Sequence, residues 1–265
     1  MRHINILAPY QTSFTIKTNC NNLINSLILE HGKYAKSCTG TTNCCITAIK
    51  NDAAYTISFK NETFVTDTPL KKIKDIMYEN RTYNENIFAI HGGAVAYNNK
   101  AYLIVASTTS GKTTLTSYLT SNGLGYITDD CILVDKNDFN VYPFNTPIHL
   151  RGGGYNVLKK LGVVSDELQL LDDISIKRYV YTPKKCITHS LPIEKIFFIN
   201  RTENRNNTAI MNTTEKITSL LKSPITNFKM DADYLLFISE LSKIPCEKLY
   251  YRDMDFVLEV IKNGQ

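Results

Sequence analysis

The stretch Leu103-Ile104-Val105-Ala106-Ser107-Thr108-Thr109-Ser110-Gly111-Lys112-Thr113-Thr114-Leu115 decides how this chain is read. The apolar run Ala101–Val105 has the character of a buried strand. A polar loop follows, and Gly-Lys-Thr-Thr opens a helix predicted over Thr113–Ser121, stopped by Asn122-Gly123. A strand, a loop and a helix N-terminus in that order form a phosphate cradle, because backbone N–H groups and the helix dipole converge on one point. Gly111 permits close backbone approach, Lys112 reaches the β- and γ-phosphates, and the Thr113 hydroxyl holds Mg²⁺. The predicted nucleotide-binding set is therefore Ala106, Ser107, Thr108, Thr109, Ser110, Gly111, Lys112, Thr113 and Thr114, with a nucleoside triphosphate and Mg²⁺ as ligands. Ala106 stands where the standard pattern opens with glycine, and the loop interior is rich in hydroxyls. The competing interpretation is a polar turn capping a helix, with Lys112 merely solvated. The strand before and the helix after weigh against it. A second Gly-Lys pair, Gly32-Lys33-Tyr34, has neither the hydroxyl nor a preceding apolar strand, and reads as coincidence.

Working outward, Asp129-Asp130 lies between two short apolar runs, Tyr126–Thr128 and Ile132–Val134. If the strand before the aspartates runs parallel to the strand before the loop, both end at the same sheet edge. One carboxylate then serves Mg²⁺ and the other accepts the proton of an attacking hydroxyl. Asp130 joins Thr113 as the metal-side candidate, and Asp129 and Asp130 share the catalytic roles. Asp135, at the end of the next run, is a rival metal carboxylate. His91, in Ile90-His91-Gly92-Gly93 ahead of the strand that feeds the loop, is a candidate to support the base. His3, His31, His149 and His189 have no comparable context. Arg151, beside Gly152-Gly153-Gly154, and Arg201 are candidate phosphate or substrate contacts, weighed against ordinary surface arginines.

Before Ile87 the pattern suggests short strands at Ile4–Leu7 and Ser13–Ile16, a loop at Ser37–Asn43, a hairpin of Ala54–Phe59 and Glu62–Val65, and a helix at Leu70–Asn80. After it come strands at Phe88–Ile90 and Gly93–Tyr97, a turn at Asn98-Asn99-Lys100, and a helix at Tyr155–Leu161 beyond the glycine run. A buried strand at Ile193–Ile199, a helix at Thr214–Lys222, a strand at Lys248–Tyr251 and a helix at Asp253–Lys262 complete it. This alternation implies an α/β layered domain over 86–265, preceded by a smaller β-rich region over 1–85.

The 265 residues allow one large domain with a companion, and no apolar run reaches the roughly 18 to 20 residues of a membrane span. The short apolar N-terminus does not fit a secretory signal, so the chain reads as soluble and cytoplasmic. A net charge of +5 suits a protein handling phosphates and falls short of a dedicated nucleic-acid binder. The seven cysteines are scattered without a Cys-x-x-Cys pair, which argues against a disulfide framework or a thiolate metal site, and Cys131 reads as a core residue.

His91-Gly92, the loop at Ala106–Thr114 and Asp129-Asp130, in that order and spacing, resemble the catalytic domain of the HPr kinase/phosphorylase family. Leu191–Arg201 and Ile244–Tyr251 also resemble small members of that family, so the likeness spans roughly Ile87 to Ile261. The resemblance implies a PEP-carboxykinase-like P-loop kinase domain with a mixed sheet, using ATP and Mg²⁺ to phosphorylate a Ser on a small protein or precursor peptide. Lys112 and Thr113 carry over as phosphate and Mg²⁺ ligands, Asp129 and Asp130 as base and metal groups, and His91 as support to the base. The family's tendency to form rings further implies a homo-oligomer, while the modest charge and the lack of a long apolar run argue against a nucleic-acid or membrane partner. Ala106 and Thr109 replace loop glycines of the family, and Pro147–Gly154 departs from the segment tied to the reverse reaction, so the forward transfer is the one expected. Two alternatives use the same loop: a small-molecule hydroxyl kinase, and a non-catalytic nucleotide-binding regulatory module.

Overall fold

The computed structural model describes residues 1–37, 42–107, 110–171, 177–223 and 231–264. Alternating apolar residues in the first third build a six-stranded sheet. Its strands are β1 (Arg2–Ile6), β2 (Phe14–Thr18), β3 (Ala35–Lys36), β4 (Cys44–Asn51), β5 (Ala54–Phe59) and β6 (Glu62–Thr66), in the order β3-β1-β2-β4-β5-β6. Among the described residues of this sheet only β2 and β4 pair in parallel. Two helices, α1 (Asn21–His31) and α2 (Pro69–Glu79), supply Leu23, Leu27, Leu70, Ile73, Ile76 and Met77 to a core with Ile4, Ile16, Ile46 and Ile57. The predicted β5–β6 hairpin and α2 are present. Helix α1 and strand β4 are not predicted: α1 is interrupted by asparagines and a serine, and β4 starts directly after the polar Ser37–Asn43 stretch. Of the predicted Ser37–Asn43 loop, 38–41 lie outside the described residues.

The larger layer is a mixed sheet of β7 (Ile87–Tyr97), β8 (Lys100–Val105), β9 (Gly125–Thr128), β10 (Cys131–Asp135), β11 (Asn140–Tyr142), β15 (Leu191–Arg201), β16 (Asn207–Ile210) and β17 (Cys246–Tyr251). Helices α3 (Lys112–Ser121), α4 (Gly152–Lys160) and α7 (Met254–Asn263) pack on one face around Tyr102, Ile104, Phe197 and Leu249. Helices α5 (Thr213–Leu221) and α6 (Ala232–Leu241) cover the other face around Leu103, Val105 and Ile196. Parallel pairing of β8 with β15, and of β15 with β17, sends Val105, Arg201 and Tyr251 to one edge. Strand β9 is not paired to β8; both run antiparallel to β7, which lies between them. They still point the same way, so Thr128 reaches that edge too.

Two predictions need correction. Phe88–Ile90 and Gly93–Tyr97 are one continuous strand, β7, with His91-Gly92-Gly93 inside it, because β8 pairs straight across the glycines while on the other side β10 pairs up to His91 and β9 resumes at Ala94. The triple glycine does not precede its helix but forms the first turn of α4.

A three-stranded sheet of β12 (Ile148–Arg151), β13 (Gln169–Leu171) and β14 (Arg178–Tyr181) ties the layers together. Leu171 and Val180 complete the N-terminal core, while Ile148 and Leu150 belong to the α3 side. The dismissed Gly32-Lys33-Tyr34 is part of this junction: Lys33 Nζ donates to Asn145 Oδ1 at 2.7 Å, and the Tyr34 hydroxyl accepts from Asn145 N at 3.1 Å. Rings of Tyr10 and Tyr142 meet at 4.2 Å, and those of Tyr34 and Phe144 at 5.2 Å.

Charge is buried at the same junction. Glu30 of α1, 6% exposed, pairs with Lys74 of α2, and its Oε2 lies 3.6 Å from Nε2 of His149 on β12. Burial opposes ionisation of Glu30, but His149, Lys74 and His31 outweigh it and hold the carboxyl at about 2. Burial lowers His31 to about 4 and also lowers His149, so both rings are neutral near pH 7 and Lys74 is then the standing counter-charge. Residue His31 is partly exposed, yet its Nε2 is buried without a hydrogen-bond partner among the described residues. The unfolded chain therefore takes up protons before the folded one as pH falls. Stability contributed by neutral His31 is intact above about pH 6.5 and is lost as pH falls toward about 4, at up to about 1.4 kcal/mol per pH unit, and His149 acts in the same direction. Melting temperatures between pH 7 and pH 4.5 are expected to fall, and His31→Asn should flatten the decline. An unchanged decline in that variant would remove His31 from the account.

Candidate functional site

Strand β8 ends at Val105, and the polar loop begins. Gly111 caps α3 at φ 91°, the left-handed conformation that glycine adopts without strain. A Cβ there would also come 3.2 Å from the Tyr251 hydroxyl. Lys112 is 6% exposed, and its Nζ donates to the carbonyls of Ala106 at 2.8 Å and Ser107 at 2.9 Å. Its ammonium thus lies folded over the loop it belongs to. Burial lowers its pKa, while the charges of Asp130 and Asp129 oppose the shift. Ser110 Oγ is buried with no partner among the described residues, Thr113 and Thr114 occupy the first turn of α3, and Thr108 and Thr109 lie outside the described residues.

The aspartates arrive from the other side of β7. Cys131 pairs with His91 and Thr128 with Ala94, so Asp129-Asp130 occupies the gap opposite Gly92-Gly93. On its opposite side β7 pairs Gly92 with Val105 and Gly93 with Ile104. The loop, His91-Gly92-Gly93 and Asp129-Asp130 are therefore side by side across three strands at one level of the sheet. Nδ1 of His91 is 3.2 Å from the Asp130 carbonyl oxygen, which accepts the bond when that nitrogen carries the proton.

The two carboxyls have different surroundings. Asp130 is exposed; Asp129 is 4% exposed, and its Oδ1 has no hydrogen-bond partner among the described residues. Burial and the neighbouring Asp130 charge push Asp129 up to about 8, against the lowering influence of Thr113, Lys112 and Thr116. A buried carboxyl with a raised proton affinity beside an exposed one suits a division of acid–base and electrostatic roles. Thr116, fully buried one turn after Thr113, was not anticipated from the sequence.

Gly93 makes this arrangement possible. A Cβ at that position would sit 2.5 Å from Thr116 Oγ1 and 3.6 Å from the Asp129 carbonyl oxygen. Gly93→Ala must push α3 off the sheet or twist β7, at about 1–3 kcal/mol. We expect a lower melting temperature together with a loss of whatever nucleotide binding the native protein has; retention of both would mean that α3 yields freely here.

The remaining candidates divide. Asp135 sits at the opposite end of β10, paired with Ile87 and accepting from Asn137 N at 2.8 Å, so it is not part of this site. Arg201 ends β15 opposite Tyr251, on the loop edge, and Arg151 caps α4, whose Gly154 abuts Thr114. His149, dismissed from sequence, lies close enough to Asp130 to feel its charge.

Comparison with known proteins gives little. No family model matches the chain, and no curated protein matches it. Among solved structures it is similar to the Hpr(Ser) kinase/phosphatase from Coxiella burnetii, at 13% identity and a TM-score of 0.35, covering 66% of this chain and 95% of that one. That likeness is too loose to assign an activity. No helix among the described residues is long and apolar enough to cross a membrane.

Proposed function

We propose that this protein is an ATP-dependent kinase that transfers the γ-phosphoryl group to a serine hydroxyl of a small protein or precursor peptide, on a PEP-carboxykinase-like P-loop domain. The observation that carries the proposal is the alignment of the loop, His91 and the aspartate pair across β8, β7 and the β9–β10 segment. A simple nucleotide-binding module needs the loop alone. A buried carboxyl poised near neutral pH beside an exposed one supports proton abstraction as well.

In this reading Lys112 leaves the Ala106 and Ser107 carbonyls and engages the β- and γ-phosphates. Asp129 takes the proton from the acceptor hydroxyl, whose oxygen forms the new bond to the γ-phosphorus while the β–γ bridging oxygen departs with ADP. His91, bonded to the Asp130 carbonyl, holds the turn that carries both carboxylates. A magnesium ion would supply charge neutralisation of the phosphates. The oxygen set of Thr113, Asp130 and the orphaned Asp129 Oδ1 fits such a hard cation, and Mg²⁺ sites of this kind take few protein ligands. The 1–85 region, whose junction borders the site, serves acceptor recognition.

The test is to incubate the protein with ATP and Mg²⁺, alone, with serine-containing peptides encoded beside its gene, and with small hydroxyl compounds, and to weigh the products by mass spectrometry. Addition of one phosphate to a peptide serine supports the proposal. Transfer only to a small molecule, or ATP binding without transfer to any acceptor, would replace it with one of the two alternatives.

A further inference from the structure

Segment β12–α4 lies between the N-terminal layer and the phosphate-loop helix, and it touches both. On one side His149 of β12 faces Glu30, which α1 delivers with its charge already paired to Lys74 of α2. On the other side the first turn of α4 meets the first turn of α3: a Cβ on Gly154 would be 2.6 Å from Thr114 Oγ1. Only two residues separate Thr114 from the cap at Gly111. Glu30 Oε2 and His149 Nε2 are buried and have no hydrogen-bond partner among the described residues, although they face each other at 3.6 Å. A charged carboxylate buried at a junction stabilises it little and costs desolvation, so its value lies more in fixing one relative placement than in holding the layers together.

We propose that Glu30 and His149 are positioning residues: their contact seats β12–α4 against the first turn of α3 and thereby couples docking of the N-terminal layer to the shape of the phosphate loop. The inference rests on the nucleotide-binding part of the kinase reading. It makes an N-terminal carboxylate, remote in sequence from the loop, a determinant of nucleotide affinity. Coupling is reciprocal, so a nucleotide that favours the seated loop must also favour the docked α1. Neither residue touches the nucleotide or the acceptor in this scheme; both act through Gly154 and Thr114.

The test measures MgATP affinity by calorimetry and amide hydrogen exchange across Asn21–Tyr34, with and without MgATP, in the full chain. Glu30→Gln and His149→Phe are expected to weaken MgATP binding about tenfold, and Glu30→Asp to recover part of the loss. In the native protein MgATP should slow exchange in α1, and in His149→Phe it should not. Removal of a buried charge partner can prevent folding, and if Glu30→Gln fails to fold, His149→Phe and the native exchange measurement decide. Equal MgATP affinity in a folded variant, or α1 exchange indifferent to MgATP in the native protein, overturns the coupling. A native protein that binds no MgATP at all overturns the kinase reading itself, and the coupling with it.

Discussion

Asp129→Asn is expected to abolish phosphoryl transfer while making the ligand-free protein more stable. The rate should fall about 10²–10⁴-fold, the usual contribution of a positioned general base. The stability gain follows from the raised proton affinity of the native carboxyl. Folded Asp129 holds its proton up to about 8, whereas in the unfolded chain it ionises near its ordinary value of 3.8. The sign is therefore opposite to that of a salt-bridged aspartate. Stability is complete below about pH 4 and is lost as pH rises through about 8, at a slope of up to about 1.4 kcal/mol per pH unit. Asparagine cannot ionise, so the variant escapes this loss. In EDTA and without nucleotide its advantage should be small at pH 5 and largest at pH 8, where each kcal/mol corresponds to about 2–4 °C in Tm for a chain of this size. A variant that melts at the same temperature as the native protein at pH 8 would mean that Asp129 is not held in a hostile environment. Undiminished transfer would remove it from the reaction.

Lys112→Met is expected to be the most damaging change for the nucleotide. Methionine keeps most of the aliphatic stem and deletes the ammonium, which now lies over the Ala106 and Ser107 carbonyls. Loss of a charge-assisted bond worth about 1.5–3 kcal/mol weakens ATP binding roughly 10- to 100-fold. The rate should fall at least about 100-fold further, because charge on the γ-phosphoryl group grows during transfer. Asp129→Asn should leave ATP affinity within a few fold. The two variants thus separate a phosphate contact from a base: one loses binding and rate, the other rate alone. Equal ATP affinity in Lys112→Met and the native protein would make the lysine a structural tie of the loop.

Much of the site was legible because its chemistry is local. Lys112, Thr113 and Gly111 are adjacent, and the strand and helix around them follow from apolar periodicity. Asp129-Asp130 was found by its distance of one helix from the loop. The arrangement that joins these pieces was not legible. Only the pairing of β7 with β8 on one side and β9–β10 on the other shows that Gly92 and Gly93 face the aspartates. Read alone, two glycines after a histidine suggest a break in the strand, and the need for them becomes visible once Thr116 is found against Gly93. The junction was harder still. Glu30, His31 and His149 look like ordinary surface residues in a sequence, because the burial of a charged side chain depends on partners brought from other elements, here Lys74 on α2 and β12. Helix α1 was missed because its asparagines and serine weaken the helical signal, although Leu23, Leu27 and Glu30 mark its buried face.

The claim on which all else depends is that the edge formed by Val105, Lys112 and the aspartate pair binds a nucleoside triphosphate. Titration of MgATP into the native protein by isothermal calorimetry tests it most directly. The account predicts one site per chain with a dissociation constant below about 1 mM, in the range typical of enzyme substrates, and a clear loss of that binding in Lys112→Met. No binding at millimolar MgATP, or binding that Lys112→Met leaves intact, would contradict it.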